Sequence, residues 1–153
     1  MHDVAEAVVG DITPRDGVDK EEKGRREGAA MDWITGRLLG GNVGGGEVGE
    51  ELRALWQEYE DDVTPEARFV HDVDKFELVC QMVEYERQQE GKGERLDMGE
   101  FCWVINGVRT LEVLEWCAEV MKERSAFWGK ERYEGMNGVE VEKVLEDRIR
   151  LLK

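Results

Sequence analysis

The chain has 153 residues, with 21 Lys and Arg against 36 Asp and Glu, so its formal net charge is −15. This length suits one domain with a real hydrophobic core. The acidic excess repels polyphosphate backbones and excludes a nucleic-acid polymer as partner, and no run approaches the roughly 18–20 apolar residues of a membrane span. The three cysteines form no C-x-x-C motif, which predicts reduced thiols and a cytoplasmic location, with the nucleus left open.

Apolar residues recur at helical spacing in almost every segment, and strand-like alternation of period two persists nowhere in the sequence. We therefore predict an all-α fold, with helices over 2–9, 19–39, 47–59, 64–89, 98–105, 110–128 and 137–152. The glycine-rich residues 40–49 predict a loop insertion. The expected organisation is one helical domain over 1–129, followed by a charged helix over 130–153.

Several helix ends carry recognisable capping residues. Asp19 followed by Glu22 predicts an N-terminal capping box. Gly40 and Gly41 are expected to end that helix, where a residue with a positive φ is favoured. Thr64 before a proline predicts a further helix start, and Thr110 is expected to cap the helix after it.

The longest predicted helix, over 64–89, is apolar around most of its circumference but carries carboxylates near its apolar face. Asp72 and Asp74 both lie there, and a buried carboxylate costs several kcal/mol unless donors or a cation compensate it. The helical wheel alone does not choose between these two aspartates. His71 is three residues from Asp74 and shares a face with it, but an exposed histidine is the simpler interpretation.

The densest group of potential metal ligands lies at the N-terminus. On an α-helix His2 and Glu6 are four residues apart, and Asp3 and Glu6 are three apart, so all three side chains can project toward one point. Asp11 follows after a glycine. Imidazole with carboxylates is typical of Mn²⁺, Co²⁺ or Mg²⁺ sites rather than thiolate zinc sites. The alternative is a solvated helix start without chemistry.

Four blocks, HDVAEAVVGDITP, KEEKGRRE, LWQEYEDDVTPEARFVHDVDKFE and YER, occur in this order. In this arrangement the chain resembles the HD-domain 5'-deoxynucleotidases, the eukaryotic type with its bacterial relatives. The resemblance covers residues 1 to about 90 and continues more weakly to Trp128. It implies an all-helical, metal-dependent phosphohydrolase that removes the 5'-phosphate from deoxynucleoside monophosphates.

The resemblance also implies a ligand set. One divalent cation (Mn²⁺, Co²⁺ or Mg²⁺) would be held by His2, Asp3 and Asp74, which favours Asp74 over Asp72. Positions associated with a second cation and the attacking water match Glu6, Asp11 and the backbone carbonyl of Ile12. One cation is thus expected to join the first turn of the chain to the middle of its longest helix.

The chain departs from this family at its N-terminus, where the family has further helices with a metal-binding His and a substrate-contacting Arg. We therefore expect an N-terminally truncated chain with three of the four ligands, and a catalytically inactive helical fragment is the alternative function. A homodimer is left open. Four basic residues after the Pro14 loop either reach a phosphate or form ion pairs within their helix: Lys20, Lys23, Arg25 and Arg26.

Overall fold

The computed structural model describes residues 2–40, 45–89, 96–129, 133–134, 136 and 138–153, except the side chains of residues 2 and 14. Its α-helices are α1 Glu6–Val9, α2 Lys20–Trp33, α3 Gly45–Asp61, α4 Pro65–Gln88, α5 Leu111–Trp128 and α6 Val139–Leu152. Three 3₁₀ segments, His2–Ala5, Pro14–Asp16 and Gly99–Gly107, and one π-helical segment, Ile34–Leu39, accompany them. These ranges contain no strand, so the all-α prediction is confirmed. None of their helices is long and apolar enough to cross a bilayer.

The chain divides into two compact units, Met1–Ala67 and Arg68–Lys153. The predicted division between residues 129 and 130 stays a prediction. In the second unit, Leu145 of α6 is buried in the same hydrophobic cluster as residues of α4 and α5. Asn137, where the last helix was expected to start, lies outside the described residues.

The first unit has a small core in which the 3₁₀ segment His2–Ala5, α2, the π-helical segment and α3 meet. Its buried residues are Ala5, Ala30, Met31, Ile34 and Trp56. The start of α2 is as predicted, because the Asp19 carboxylate accepts a hydrogen bond of 2.9 Å from the backbone N–H of Glu22.

The helix that begins at residue 20 ends at Leu39 as predicted, but its last six residues form the π-helical segment Ile34–Leu39. After Trp33 the chain stays helical but changes from an α-helix to a π-helix. Within this segment the Thr35 hydroxyl donates a hydrogen bond of 2.8 Å to the Met31 carbonyl. Gly40 has a right-handed φ of −75°, and Gly41, the other glycine predicted to end the helix, lies outside the described residues. The helix after it begins at residue 45 rather than 47, so 45–49 is helical, while 41–44 of the predicted loop lie outside the described residues.

α3 packs very closely on this π-helical segment at Gly49. A Cβ atom at Gly49 would lie 2.7 Å from the backbone oxygen of Thr35, closer than real Cβ atoms approach a carbonyl. At Gly46, three residues earlier, an added Cβ atom would have no other atom within 4 Å. The packing of α3 against the π-helical segment therefore requires glycine at position 49 but not at position 46.

The second unit is built on α4, α5, α6 and the 3₁₀ segment Gly99–Gly107. The buried stripe of α4 includes Val79, Met82 and Val83, whereas Phe69, on the predicted apolar arc, is 39% exposed. The N-terminus of α4 is as predicted, since the Thr64 hydroxyl accepts a hydrogen bond of 3.1 Å from the Ala67 N–H.

Candidate functional site

The predicted ligands of the N-terminal segment lie on two different kinds of turn. Asp3 belongs to a 3₁₀ segment, and Glu6 is the first residue of α1, so the spacing of a continuous α-helix does not apply between them. Gly10 ends α1 with a φ of +78°, a conformation that glycine adopts without strain. This turn leads directly to Asp11, which is exposed, whereas Glu6 is half-buried.

Glu6 lies in a negative environment within the first unit. Its pKa is raised above the ordinary value of 4.5, first by burial and then by the charges of Asp11 and Asp3. Lys23 acts in the opposite direction, and Glu27 adds to the increase. The carboxylates Asp3, Glu6, Asp11 and Glu27 are called the acidic cluster below.

Lys23 links this cluster to the loop after α1. Its ammonium donates to the Ile12 carbonyl at 3.1 Å and lies 3.5 Å from Oε1 of Glu27. The Glu27 side chain is only 8% exposed, and that of Lys23 is 36% exposed. The Lys23–Glu27 pair has the i,i+4 spacing of the ion pairs that the sequence offered as the alternative to a phosphate site.

Arg25 and Arg26 of α2 follow the ion-pair alternative rather than pointing to a phosphate site. Arg25 and Arg26 both donate to the Glu22 carboxylate, each at 2.7 Å through Nε. These hydrogen bonds lower the pKa of Glu22 to about 2. Glu22 therefore binds side chains rather than completing the predicted capping box.

The donor set of the first unit fits a hard divalent cation in kind, because carboxylate and carbonyl oxygens are the ligands that Mg²⁺ and Mn²⁺ prefer. Within the part of the chain that the structure describes, however, no three His, Cys, Asp or Glu groups are grouped so as to hold a metal. The His2 side chain lies outside that part. Asp74 belongs to the second unit, where it is exposed. Joint ligation by His2, Asp3 and Asp74 therefore stays a prediction.

Asp72 has a different environment from Asp74 and a structural explanation. It is fully buried, and its Oδ2 accepts hydrogen bonds from the backbone N–H groups of Arg109 and Thr110 at 2.8 and 2.7 Å. Its Oδ1 lies 3.7 Å from Nε of Arg109 and 3.8 Å from Nζ of Lys75. Asp72 thus holds the turn that begins α5, where the predicted Thr110 side-chain cap is not formed.

His71 and Lys75 are close to this arrangement. His71 is half-buried rather than exposed, and its carbonyl accepts a hydrogen bond of 2.9 Å from Lys75. Lys75 therefore contacts the backbone of its own helix and lies beside Asp72. These contacts explain the buried carboxylate that first suggested chemistry in α4.

The second unit also contains a buried ion pair that the sequence did not reveal. Arg124 donates to both oxygens of Glu86 at 2.9 Å and to Asp97 at 2.8 Å. Glu86 accepts two further hydrogen bonds of 2.8 Å, from the Trp128 indole and the Met98 N–H. Burial lowers the pKa of Arg124, but its hydrogen bonds to Glu86 and the negative charge of that carboxylate raise it, and the net pKa is above the ordinary value. The Glu86–Arg124 pair is fully partnered and organises the core rather than a ligand site.

A groove beside α3 in the first unit contains none of the predicted site residues. Its lining includes Thr35, Gly36 and Arg53. The Arg53 guanidinium is already bound to Asp32 at 2.8 Å and lies 4.6 Å over the Trp56 ring. The positive charge of Arg53 is therefore already engaged by Asp32 and the Trp56 ring.

The described helices define an all-helical domain, and the predicted ligands within it offer oxygen donors of the kind that divalent cations prefer. The matching family model is that of the HD domain, and it covers residues 1–114. The chain belongs to this family.

Relatives with known names agree with this assignment. The chain is 44% identical over 132 residues to the 5'-deoxynucleotidase hdd1 of Schizosaccharomyces pombe, covering 86% of this chain and 64% of that protein. It is 36% identical over 128 residues to the 5'-deoxynucleotidase YGK1 of Saccharomyces cerevisiae, covering 84% and 57%. Over 125 residues it is 37% identical to the 5'-deoxynucleotidase HDDC2 of Homo sapiens, covering 82% and 57%. The chain thus spans less than two-thirds of the length of these relatives.

Proposed function

We propose that this chain is a metal-dependent phosphohydrolase that removes the 5'-phosphate from deoxynucleoside monophosphates. The observation that carries the proposal is the HD-domain match over residues 1–114, because this range contains every proposed ligand. The names of the relatives supply the substrate class. The acidic cluster around Glu6 supports the proposal independently, since its charges favour a cation.

In the proposed mechanism His2, Asp3 and Asp74 hold one divalent cation. When bound, such a cation neutralises phosphate charge and lowers the pKa of a coordinated water. Glu6 is the proposed general base, because its pKa is raised by burial and by neighbouring carboxylates and a carboxylate of higher pKa accepts a proton more readily. Asp11 and the Ile12 carbonyl orient the water or hold a second cation.

The test measures phosphate release from deoxynucleoside and ribonucleoside 5'-monophosphates with Mn²⁺, Co²⁺ and Mg²⁺. We expect the deoxynucleotides to be hydrolysed and the reaction to stop in a chelator. Asp74→Asn should abolish both hydrolysis and tight cation binding in calorimetry. Glu6→Gln should abolish hydrolysis while cation binding is retained, since the proposed first site does not include Glu6.

The matched control is Glu84→Gln, which removes one exposed carboxylate from the same helix as Asp74. This variant should hydrolyse and bind the cation like the wild type. Absence of hydrolysis with all three cations would refute the proposed activity. If the cation also failed to bind, the alternative of a non-catalytic helical protein with the family scaffold would be supported.

A further inference from the structure

The Ile12 carbonyl, which is proposed above to orient water or bind a second cation, already accepts a hydrogen bond from a charged group of the chain. The Lys23 ammonium lies 3.1 Å from this oxygen and 3.5 Å from the Glu27 carboxylate. The two contacts place a positive charge between the loop after α1 and the buried side of α2. A cation thus stands at the oxygen that a second metal ion would use.

We propose that the Lys23 ammonium, held between the Glu27 carboxylate and the Ile12 carbonyl, competes with a divalent cation for that carbonyl oxygen. This inference rests on the proposed function for the identity of the cation. Lys23 is then a positioning residue: it binds neither substrate nor metal, but it sets the cation affinity of its neighbours.

Charge and geometry both support competition. Among the described residues, the charges that act on Glu6 are those of Asp3, Asp11 and Glu27, which are opposed by that of Lys23. A divalent cation binds a carbonyl oxygen at about 2.0–2.6 Å, so it would face an ammonium that binds the same atom. Charges of +2 and +1 about 4 Å apart in water repel by an amount that corresponds to roughly thirtyfold in Kd. Screening by salt reduces this to roughly tenfold.

The lysine can also leave its position. Its side chain is 36% exposed, and an ammonium on a four-carbon stem is readily hydrated when it turns to solvent. The buried Glu27 carboxylate would remain behind and add its charge to the site. Binding of the cation and release of the lysine are therefore coupled.

The test compares the full chain with Lys23→Met, in which the charge is removed at nearly constant length, and with Lys23→Arg, in which it is kept. Lys20→Met is the matched control, since Lys20 is an exposed lysine of the same helix. Thermal unfolding is followed by circular dichroism in chelator and over a Mn²⁺ titration, so the readout does not depend on activity. Lys23→Gln is measured in the same way in case the methionine variant does not fold.

We expect Lys23→Met to be stabilised by Mn²⁺ at a concentration roughly tenfold lower than the wild type requires. The arginine variant and the Lys20→Met control should respond at the wild-type concentration. An unchanged or weaker Mn²⁺ response in both uncharged Lys23 variants would overturn the inference.

This result and the proposed function can fail separately. If the wild type hydrolyses deoxynucleotides but the uncharged variants respond to Mn²⁺ as it does, only the inference about Lys23 is wrong. If the wild type is inactive and the uncharged variants gain the stronger response, the inference stands and the proposed activity is wrong. If no protein in the series responds to Mn²⁺, the Lys23 inference is overturned.

Discussion

Replacement of Arg124 by methionine should destabilise the second unit strongly, because it leaves a buried carboxylate without its cation. Arg124 and Glu86 have completely buried side chains. Two hydrogen bonds of 2.9 Å join them, and a third of 2.8 Å joins Arg124 to Asp97. Methionine fills a similar volume, so the loss is chiefly electrostatic.

The size of the effect follows from the partners that remain. Breaking a buried ion pair by removing one partner costs about 3–5 kcal/mol. Glu86 would keep its hydrogen bonds from the Trp128 indole and the Met98 N–H. We therefore expect a loss of about 3–4 kcal/mol in the free energy of unfolding. For a chain of this size that lowers the melting temperature by roughly 6–16 °C.

The assay is urea unfolding at pH 7, followed by circular dichroism. Glu123→Gln is the control, because it breaks an ion pair of 2.9 Å between the same two helices whose partners, Arg87 and Glu123, are 45% and 62% exposed. Exposed pairs contribute at most about 1 kcal/mol. An Arg124→Met variant no less stable than Glu123→Gln would show that the buried pair does not hold α4 and α5 as described.

Three further outcomes are expected. Arg148→Met should lower the free energy of unfolding by about 1–3 kcal/mol in urea, because two buried backbone carbonyls lose its guanidinium; an unchanged midpoint would contradict this. The pKa of Glu6 is raised in the folded state, so the folded chain binds this proton more tightly than the unfolded chain, and stability falls as the pH rises above 4.5. Glu6→Gln should therefore raise the melting temperature at pH 7 in chelator, with no gain below pH 4.5. Burial raises the pKa of Cys102 to about 11 and that of Cys117 to about 12. At pH 8, at most the half-buried Cys80 should therefore react with a thiol reagent in the folded protein. A count of two or three reactive thiols before unfolding would refute this.

Local signals in the sequence were sufficient for most of the helices. The Asp19 and Thr64 caps depend on residues only three positions away, and both hydrogen bonds are present. The end of the helical run at Leu39 was also predicted, but its change to a π-helix after Trp33 was not. The bounds of these helices were thus predictable from neighbouring residues, whereas the π-helical geometry was not.

The candidate site shows the same division. A helical wheel places Asp72 and Asp74 near one face, and only the N–H groups of Arg109 and Thr110 reveal that Asp72 is bound to the start of α5. These partners are 37 and 38 residues away along the chain. No periodicity in α4 carries information about such a distant contact.

The contact of Lys23 with Ile12 was missed for a related reason. Within α2 the lysine has a suitable partner at i,i+4, and that pairing with Glu27 is present. The carbonyl it also binds is eleven residues earlier, beyond the turn that contains Pro14. Side-chain spacing could predict the ion pair but not a backbone acceptor in another segment.

The close packing at Gly49 affects how sequence variation in this family should be interpreted. A random library at this position should return glycine alone, whereas Gly46, one helical turn away and open to solvent on that side, should accept many side chains. Strict invariance at position 49 would then arise from two backbones in contact and not from catalysis. A ranking of positions by conservation alone would place this residue beside the proposed ligands, although its constraint comes from the contact with the Thr35 backbone.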